Sequence, residues 1–238
     1  MLWATGCSHT YGDDLLDKRQ AWPYLLADML NLECVNNAVS GGSNERIVYQ
    51  TVKSLTCKIK VIAWTYIERT TRYDPDNNYE INFNPQLMHK LYKNNKDFIK
   101  YSKLHYTKWY NDLYAFKLWL QQIILLQKFL GNQPYIMLNA TGNRFKNYTS
   151  SWDTFNQNVK EFICFDSMND DQLYSEHCEI QHYVDLIDTR CYYNIDNFYI
   201  TQLDTTYPTG PTGHLLEQAQ QEIATKLYPL CSKLIHSQ

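Results

Sequence analysis

Short apolar runs in this chain alternate with segments in which apolar residues recur every three or four positions. Continuous apolar runs at residues 2–5, 60–65 and 134–139, with a further β-type run in 32–39, are typical of buried strands. The segments between these runs have helical spacing. Because strands that alternate with helices form a parallel sheet covered on both faces, the pattern predicts one three-layer α/β/α domain over residues 1–238 with a central, mostly parallel sheet.

Apolar stripes mark the predicted helices, which lie in residues 22–30, 47–55, 109–124 and 216–234. Ser43 or Asn44 suits the N-cap of the second helix, and Pro229 predicts a bend in the last. Residues 66–106 are rich in Asn, Asp, Tyr and Lys and have little periodicity, so they are predicted to form an irregular insertion. For residues 153–200 we expect weak helices and at most one late strand.

The composition narrows the classes of partner and compartment. A net charge of −3 argues against a nucleic-acid scaffold, which is usually basic, and gives no reason to expect binding to an anionic membrane. The seven cysteines contain no CxxC pair and are odd in number, so we expect reduced thiols and a cytoplasmic protein. Because the chain turns polar within its first ten residues, we expect no secretory leader. Because glutamines interrupt the longest apolar run, residues 118–130, we expect no membrane-spanning helix.

A serine follows the first predicted strand, in the sequence Gly6-Cys7-Ser8-His9-Thr10-Tyr11-Gly12. The flanking glycines permit a sharp turn that presents the Ser8 hydroxyl, and its own N–H, at the carboxyl edge of the sheet. Parallel sheets bind ligands at that edge. A serine hydroxyl acts as a nucleophile only when a base lies beside it and donors stabilise the oxyanion that its attack creates.

Two other loops carry groups that suit those roles. Residues 39–44 place paired glycines before a helix, where Gly41 offers a backbone N–H and Asn44 a side-chain amide. Near the C-terminus, the Pro/Gly-rich segment 208–214 ends in His214 just before the last helix. That position suits a general base.

The order of these blocks resembles that of the SGNH (GDSL-type) hydrolases. Residues 6–12 are similar to the family's Gly-Asp-Ser-x-Thr-x-Gly block, and residues 22–26 and 35–41 fit the layout that follows it. In the last helix, counting back from residues 223–224 places His214 at the position of the family's catalytic histidine. The resemblance covers the two ends of the chain and leaves the middle unmatched.

The resemblance implies a flavodoxin-like fold and a serine esterase or deacylase that hydrolyses an ester or acetyl group, including one on a carbohydrate. Ser8 would be the nucleophile and His214 the base. The implied oxyanion hole consists of Ser8, Gly41 and Asn44. Asp204 is the candidate acid that orients His214, and a Ser–His dyad without an acid is an equal alternative.

Two further residues, His9 and Tyr66, are candidate substrate-binding residues because of their places after the first and third strands. A simpler interpretation is that His9 is a solvated turn residue. Ser8, too, is explained equally well as a turn or N-cap residue without a catalytic role. We expect no metal and no cofactor, because the scattered His and Cys residues lack the spacing of a zinc site and no Walker or GxGxxG loop is present.

The sequence also departs from the family's pattern. Cys7 stands where the family has Asp, residues 64–67 lack the Gly-x-Asn of block three, and Pro211 occupies the position of the acid before His214. A second alignment matches residues 204–208 with Asp-x-x-His-Pro, which keeps the acid and replaces the base by a tyrosine. The pattern Trp64-Thr65…Arg69 is similar to a phage-associated branch.

These departures motivate a second functional hypothesis, a diverged binding or structural protein such as a phage virion component. The aromatic-rich insertion would then form a sugar- or protein-binding surface. The expected partners are a small-molecule or glycan ester, with virion or homo-oligomer contacts as alternatives, and neither nucleic acid nor membrane. For a viral protein, the compartment would be the host cytoplasm or the virion.

Overall fold

The computed structural model describes residues 1–54, 56–74, 79–83, 96–142, 148–160 and 168–237. Its strands are β1 (Leu2–Thr5), β2 (Cys34–Asn36), β3 (Ile59–Trp64), β4 (Thr70–Asp74), β5 (Tyr79–Phe83) and β6 (Tyr135–Asn139). Its α-helices are α1 (Ser8–Tyr11), α2 (Trp22–Met29), α3 (Asn44–Lys53), α4 (Lys96–Leu104), α5 (Asp112–Leu130), α6 (Trp152–Lys160), α7 (Asp170–Asp185) and α8 (Glu217–His236). Shorter helical turns lie at Lys18–Gln20, His105–Trp109, Thr189–Cys191 and Ile200–Thr205.

The central sheet contains four strands in the order β2-β1-β3-β6, and every neighbouring pair is parallel. Successive residues face opposite sides of this sheet. In β3, Ile62 and Trp64 belong to one apolar cluster, whereas Val61 and Ala63 belong to the other. All of β3 is buried, as expected for a parallel strand covered on both faces. The predicted α/β fold class is confirmed.

Helices cover both faces of the sheet. On one face α2 and α8 pack against each other, with Trp22 and Ile223 in the shared apolar cluster. On the other face α3, α5 and α7 surround a second cluster that contains Ile47, Phe116 and Ile180. None of the helices in the described ranges is both long and apolar enough to cross a membrane.

Most predicted elements are found within a few residues of their expected limits, and the exceptions lie in the middle of the chain. The segment 66–106 is more regular than expected, since its described residues form the antiparallel β4–β5 pair and α4; residues 75–78 and 84–95 lie outside the described part. In place of a late strand, Tyr192 and Tyr199 make isolated parallel bridges to β6. α8 continues through Pro229.

The strand order creates one crevice at the carboxyl edge of the sheet. The chain moves from β1 outward to β2 and then returns to place β3 on the other side of β1. Connections therefore leave β1 and β3 on opposite faces, and ligands bind at such a switch point in open α/β sheets. The loops that flank it are 6–12, after β1, and 65–69, after β3.

Candidate active site

The Ser8 turn has the compact geometry that its glycines predicted. Ser8 begins the short helix α1, Cys7 is its N-cap, and Gly12 ends it in the left-handed conformation with φ of 85°. A Cβ atom on Gly6 would overlap the Thr10 side chain, so only glycine fits where β1 enters the turn. Ser8 itself is 4% exposed.

The loop after β2 lies directly against this turn. Asn36 donates its side-chain N–H to the Thr10 carbonyl at 2.9 Å, and the backbone N–H of Val39 donates to the Gly6 carbonyl at 3.3 Å. Gly41 has φ of 71°, and the space around its Cα is open. Its N–H makes no backbone hydrogen bond among the described residues, so this N–H is free to act as a donor beside the turn.

Asn44, the third predicted oxyanion donor, holds the start of α3 against the end of β3. Its Oδ1 accepts the backbone N–H of Thr65 at 2.9 Å, and its Nδ2 donates to the Thr65 carbonyl at 3.1 Å. Asn44 is 4% exposed. Because an amide nitrogen carries two protons, one donor of this side chain is left for a ligand.

His214 meets a carboxylate from the opposite end of the chain. Asp14 Oδ2 lies 3.5 Å from His214 Nδ1 and accepts the backbone N–H of His214 at 3.1 Å. The same oxygen accepts the N–H of Thr212 at 2.9 Å. Gly210 makes this approach possible, because a Cβ atom there would overlap Asp14. These hydrogen bonds lower the pKa of Asp14, although burial opposes them, and keep it ionised.

The Thr212 hydroxyl determines which nitrogen of His214 carries the proton. It donates to Asp14 Oδ1 at 2.8 Å, since an ionised carboxylate can only accept. Its oxygen also lies 2.8 Å from His214 Nδ1, and with the hydroxyl proton already directed to Asp14, Nδ1 must be the donor. Neutral His214 is therefore protonated at Nδ1, which leaves the lone pair on Nε2 that a general base requires.

His9 packs its ring against the ring of His214, with centroids 4.7 Å apart. Burial, together with the nearby His214 and Arg69 charges, lowers the pKa of His9 to about 3. His9 is therefore neutral near pH 7, and no described residue makes a hydrogen bond to its buried Nδ1. The pair brings His214 to the residue next to Ser8, at the same edge of the sheet.

Two of the predicted catalytic residues, Ser8 and Asp204, make no contact with His214 of the kind the prediction requires. Ser8 makes no side-chain hydrogen bond with any described residue, His214 included. Asp204 is exposed in the turn Ile200–Thr205 and accepts no hydrogen bond from His214 among the described residues. Its charge instead contributes to raising the pKa of Tyr66, for which burial is the larger cause. The carboxylate beside His214 is Asp14.

Sequence reasoning missed Asp14 and Thr212. Asp14 lies shortly after the serine turn, where the family pattern gives no reason to expect an acid, and it adopts a left-handed φ of 67°. Its partner lies 200 residues further along the chain. The available signal was the Asp13-Asp14 pair close to Gly12 in a loop at the carboxyl edge of the sheet.

Residues 11–174 match a family of unknown function, DUF6071. The chain belongs to this family. The matched range includes Asp14, Gly41, Asn44 and Arg69 and ends well before His214, while Ser8 precedes it. No curated protein sequence matches this DUF6071 chain.

Two solved structures are similar to the chain at low identity. One is a carbohydrate esterase family 2 enzyme with a carbohydrate-binding domain from Corynascus thermopiles (Myceliophthora fergusii), with a TM-score of 0.48, 11% identity and 99% of this chain covered. The chain spans 66% of the length of that structure. The other is a putative lipolytic protein of the G-D-S-L family from Desulfitobacterium hafniense, with a TM-score of 0.41, 13% identity and coverage of 96% of this chain and 98% of the other.

Proposed function

We propose that this protein is a serine hydrolase that cleaves a carboxylic ester or acetyl group, with Ser8 as nucleophile and His214 as base. The observation that carries the proposal is the Asp14–Thr212–His214 hydrogen-bond chain. It leaves the Nε2 lone pair available on a histidine that packs against the neighbour of Ser8. Asp14, rather than Asp204, is the acid of this proposal.

In the proposed reaction, Ser8 Oγ attacks the carbonyl carbon while His214 Nε2 takes the hydroxyl proton. The N–H groups of Ser8 and Gly41 stabilise the oxyanion of the tetrahedral intermediate, with the remaining Asn44 amide proton as a further donor. The intermediate collapses to an acyl-serine as His214 returns the proton to the leaving alcohol. Water then attacks the acyl group with the same base, which releases the acid and restores Ser8.

Asp14 acts through His214 in this scheme. Its negative charge stabilises the imidazolium that forms when Nε2 accepts the serine proton. The proposal expects a Ser8–His214 hydrogen bond to form when an ester binds, since catalytic hydrogen bonds tighten in the substrate complex.

A second candidate function is a binding protein with the same fold and no turnover. The observation that favours it is the Ser8 hydroxyl, which makes no hydrogen bond with His214. An unactivated serine is a poor nucleophile. Under this alternative, Ser8 would react with a covalent serine probe no faster than an ordinary surface serine does.

The test combines turnover with covalent labelling. Wild type, Ser8→Ala and the surface control Ser237→Ala are compared for hydrolysis of 4-nitrophenyl acetate and for labelling by a fluorophosphonate, with the labelled peptide found by mass spectrometry. The hydrolase proposal expects turnover and a label on the Ser8 peptide in wild type and Ser237→Ala, and neither in Ser8→Ala. Equal hydrolysis by wild type and Ser8→Ala would exclude it.

A further inference from the structure

A cavity of about 170 Å³ lies between the start of α3, the loop after β3 and the aromatic residues before α5. Asn44 and Arg69 line it together with Trp109 and Tyr110. Asn44 and Arg69 also border the proposed site, because Asn44 binds the end of β3 and the Arg69 charge acts on His9. The cavity and the proposed site therefore share Asn44.

Arg69 is unusual because its guanidinium is buried without a carboxylate partner. The residue is 8% exposed, yet among the described residues no Asp or Glu lies within ion-pair distance of it. Its Nη1 donates to the Thr65 hydroxyl at 3.0 Å, whereas its buried Nε has no hydrogen-bond partner in the described part of the chain. Burying an unpaired charge costs several kcal/mol, on the order of the whole stability of a domain, so such groups are normally paired.

The groups around Arg69 supply little compensation. The Tyr66 ring lies 4.9 Å from the guanidinium, a cation–π contact that accepts no conventional hydrogen bond. Glu45, which also lines the cavity, is used by other partners: it accepts from the Thr70 hydroxyl at 2.8 Å and pairs with Arg72 at 3.6 Å. Arg69, which lines the cavity, therefore keeps guanidinium donors that no described carboxylate uses.

We propose that Arg69 binds a carboxylate of the substrate, so that the esters hydrolysed at Ser8 carry an acidic group close to the scissile bond. A guanidinium pairs with a carboxylate by two parallel hydrogen bonds, and a water-poor cavity strengthens that pairing. The aromatic side chains Trp109 and Tyr110 add apolar faces for the rest of the ligand. The hydrolysis of such an ester rests on the proposed function. The binding of a carboxylate rests on Arg69 alone.

The activity test compares esters that differ only in charge. One pair is 4-acetoxybenzoate and its methyl ester, with the acid on the alcohol side. The other is 4-nitrophenyl hydrogen succinate and 4-nitrophenyl methyl succinate, with the acid on the acyl side. In at least one pair, wild type is expected to prefer the acidic ester by about 10-fold in kcat/KM, equivalent to about 1.4 kcal/mol. Arg69→Gln should lose that preference and Arg69→Lys should keep part of it.

The matched control is Arg190→Gln, the same chemical change at an exposed arginine that is ion-paired with Asp188. It should keep the full preference. Circular dichroism and thermal unfolding of each variant establish that it is folded. A preference for the neutral ester in both pairs, or the same acidic preference in wild type and Arg69→Gln, overturns the proposal.

A binding test separates this proposal from the hydrolase proposal. Titration calorimetry measures benzoate, and its neutral analogue benzamide, with Ser8→Ala and with the Ser8→Ala, Arg69→Gln double variant. We expect saturable benzoate binding to Ser8→Ala that weakens at least 10-fold in the double variant. Benzoate binding at Arg69 without ester turnover would leave the anion site standing and remove the hydrolase. Turnover of neutral esters without benzoate binding would support the hydrolase and overturn the anion site at Arg69.

Discussion

Asp14 and His214 lie 200 residues apart in the chain, and one carboxylate oxygen of Asp14 contacts both the backbone N–H and Nδ1 of His214. The Thr212 hydroxyl completes the contact through the second oxygen. In this arrangement the carboxylate orients the imidazole and the hydroxyl determines its tautomer. The proposed hydrolase mechanism requires this contact as well as the serine turn.

Replacing Asp14 tests the contact directly. Asp14→Asn keeps the shape and removes the charge, and its amide can present a donor to Thr212, which permits the wrong tautomer of His214. We expect kcat for 4-nitrophenyl acetate to fall by about 100-fold or more. Asp204→Asn is the matched control and should change kcat less than about 3-fold. A larger loss in Asp204→Asn than in Asp14→Asn would return the role to Asp204.

Gly210 is expected to be required for the same contact. A Cβ atom at residue 210 would overlap Asp14 Cβ and lie 2.8 Å from its Oδ2, so Gly210→Ala must displace the carboxylate or the loop. We expect kcat to fall at least 10-fold, while the folded protein loses no more than about 2 kcal/mol of stability. Gly142→Ala, whose Cβ meets Tyr199 at an ordinary 3.6 Å, is the control for a glycine substitution. Wild-type kcat in Gly210→Ala would contradict the prediction.

Gln220 ties the last helix to the second, and its removal should destabilise the protein. Its Oε1 accepts the backbone N–H of Trp22 at 2.9 Å, at the start of α2, and its Nε2 donates to the Leu215 carbonyl at 3.1 Å. Gln220→Leu leaves two buried backbone groups without partners, at about 1–3 kcal/mol each. Urea unfolding should show a loss of at least about 2 kcal/mol, whereas the exposed control Gln221→Leu should lose less than about 0.5 kcal/mol.

The buried His9 predicts how stability depends on pH. Its pKa of about 3 in the folded protein lies below the ordinary value of 6.5, so between these values the unfolded chain binds a proton that the folded chain does not. Stability should therefore fall as pH falls from about 6.5 towards 3, by on the order of 1 kcal/mol per pH unit from this residue. The lowered pKa of Asp14 acts in the same direction at the acidic end of the range.

The measurement is the free energy of unfolding in urea at pH 7 and pH 5. In His9→Gln the decrease between the two pH values should be smaller than in wild type by about 2 kcal/mol. His236→Gln, an exposed histidine at the end of α8, should behave as wild type does. An unchanged decrease in His9→Gln would show that His9 titrates near its ordinary pKa in the folded protein.

The fold was largely predictable from the apolar pattern because β1, β3 and β6 are buried along their whole length. Such strands read as continuous apolar runs, and the helices between them carry clear stripes. The region after β3 was harder, since β4 and β5 form a separate two-stranded sheet with little alternation for a sequence pattern to detect. The late strand expected within residues 153–200 is replaced by single bridges from Tyr192 and Tyr199 to β6.

The sequence by itself determined where the serine lies, because the Ser8 turn depends on local features: a strand, two glycines and a helix start. It also suggested His214 through the register of α8. Only the tertiary structure decided which acid meets that histidine and which arginine is buried without a carboxylate partner among the described residues. Nothing in the local sequence distinguishes Asp14 and Arg69 from other loop residues. Their positions matter because the parallel sheet brings the carboxyl ends of its strands to one edge. Contacts between residues so distant in sequence follow from the strand order, which no local pattern encodes.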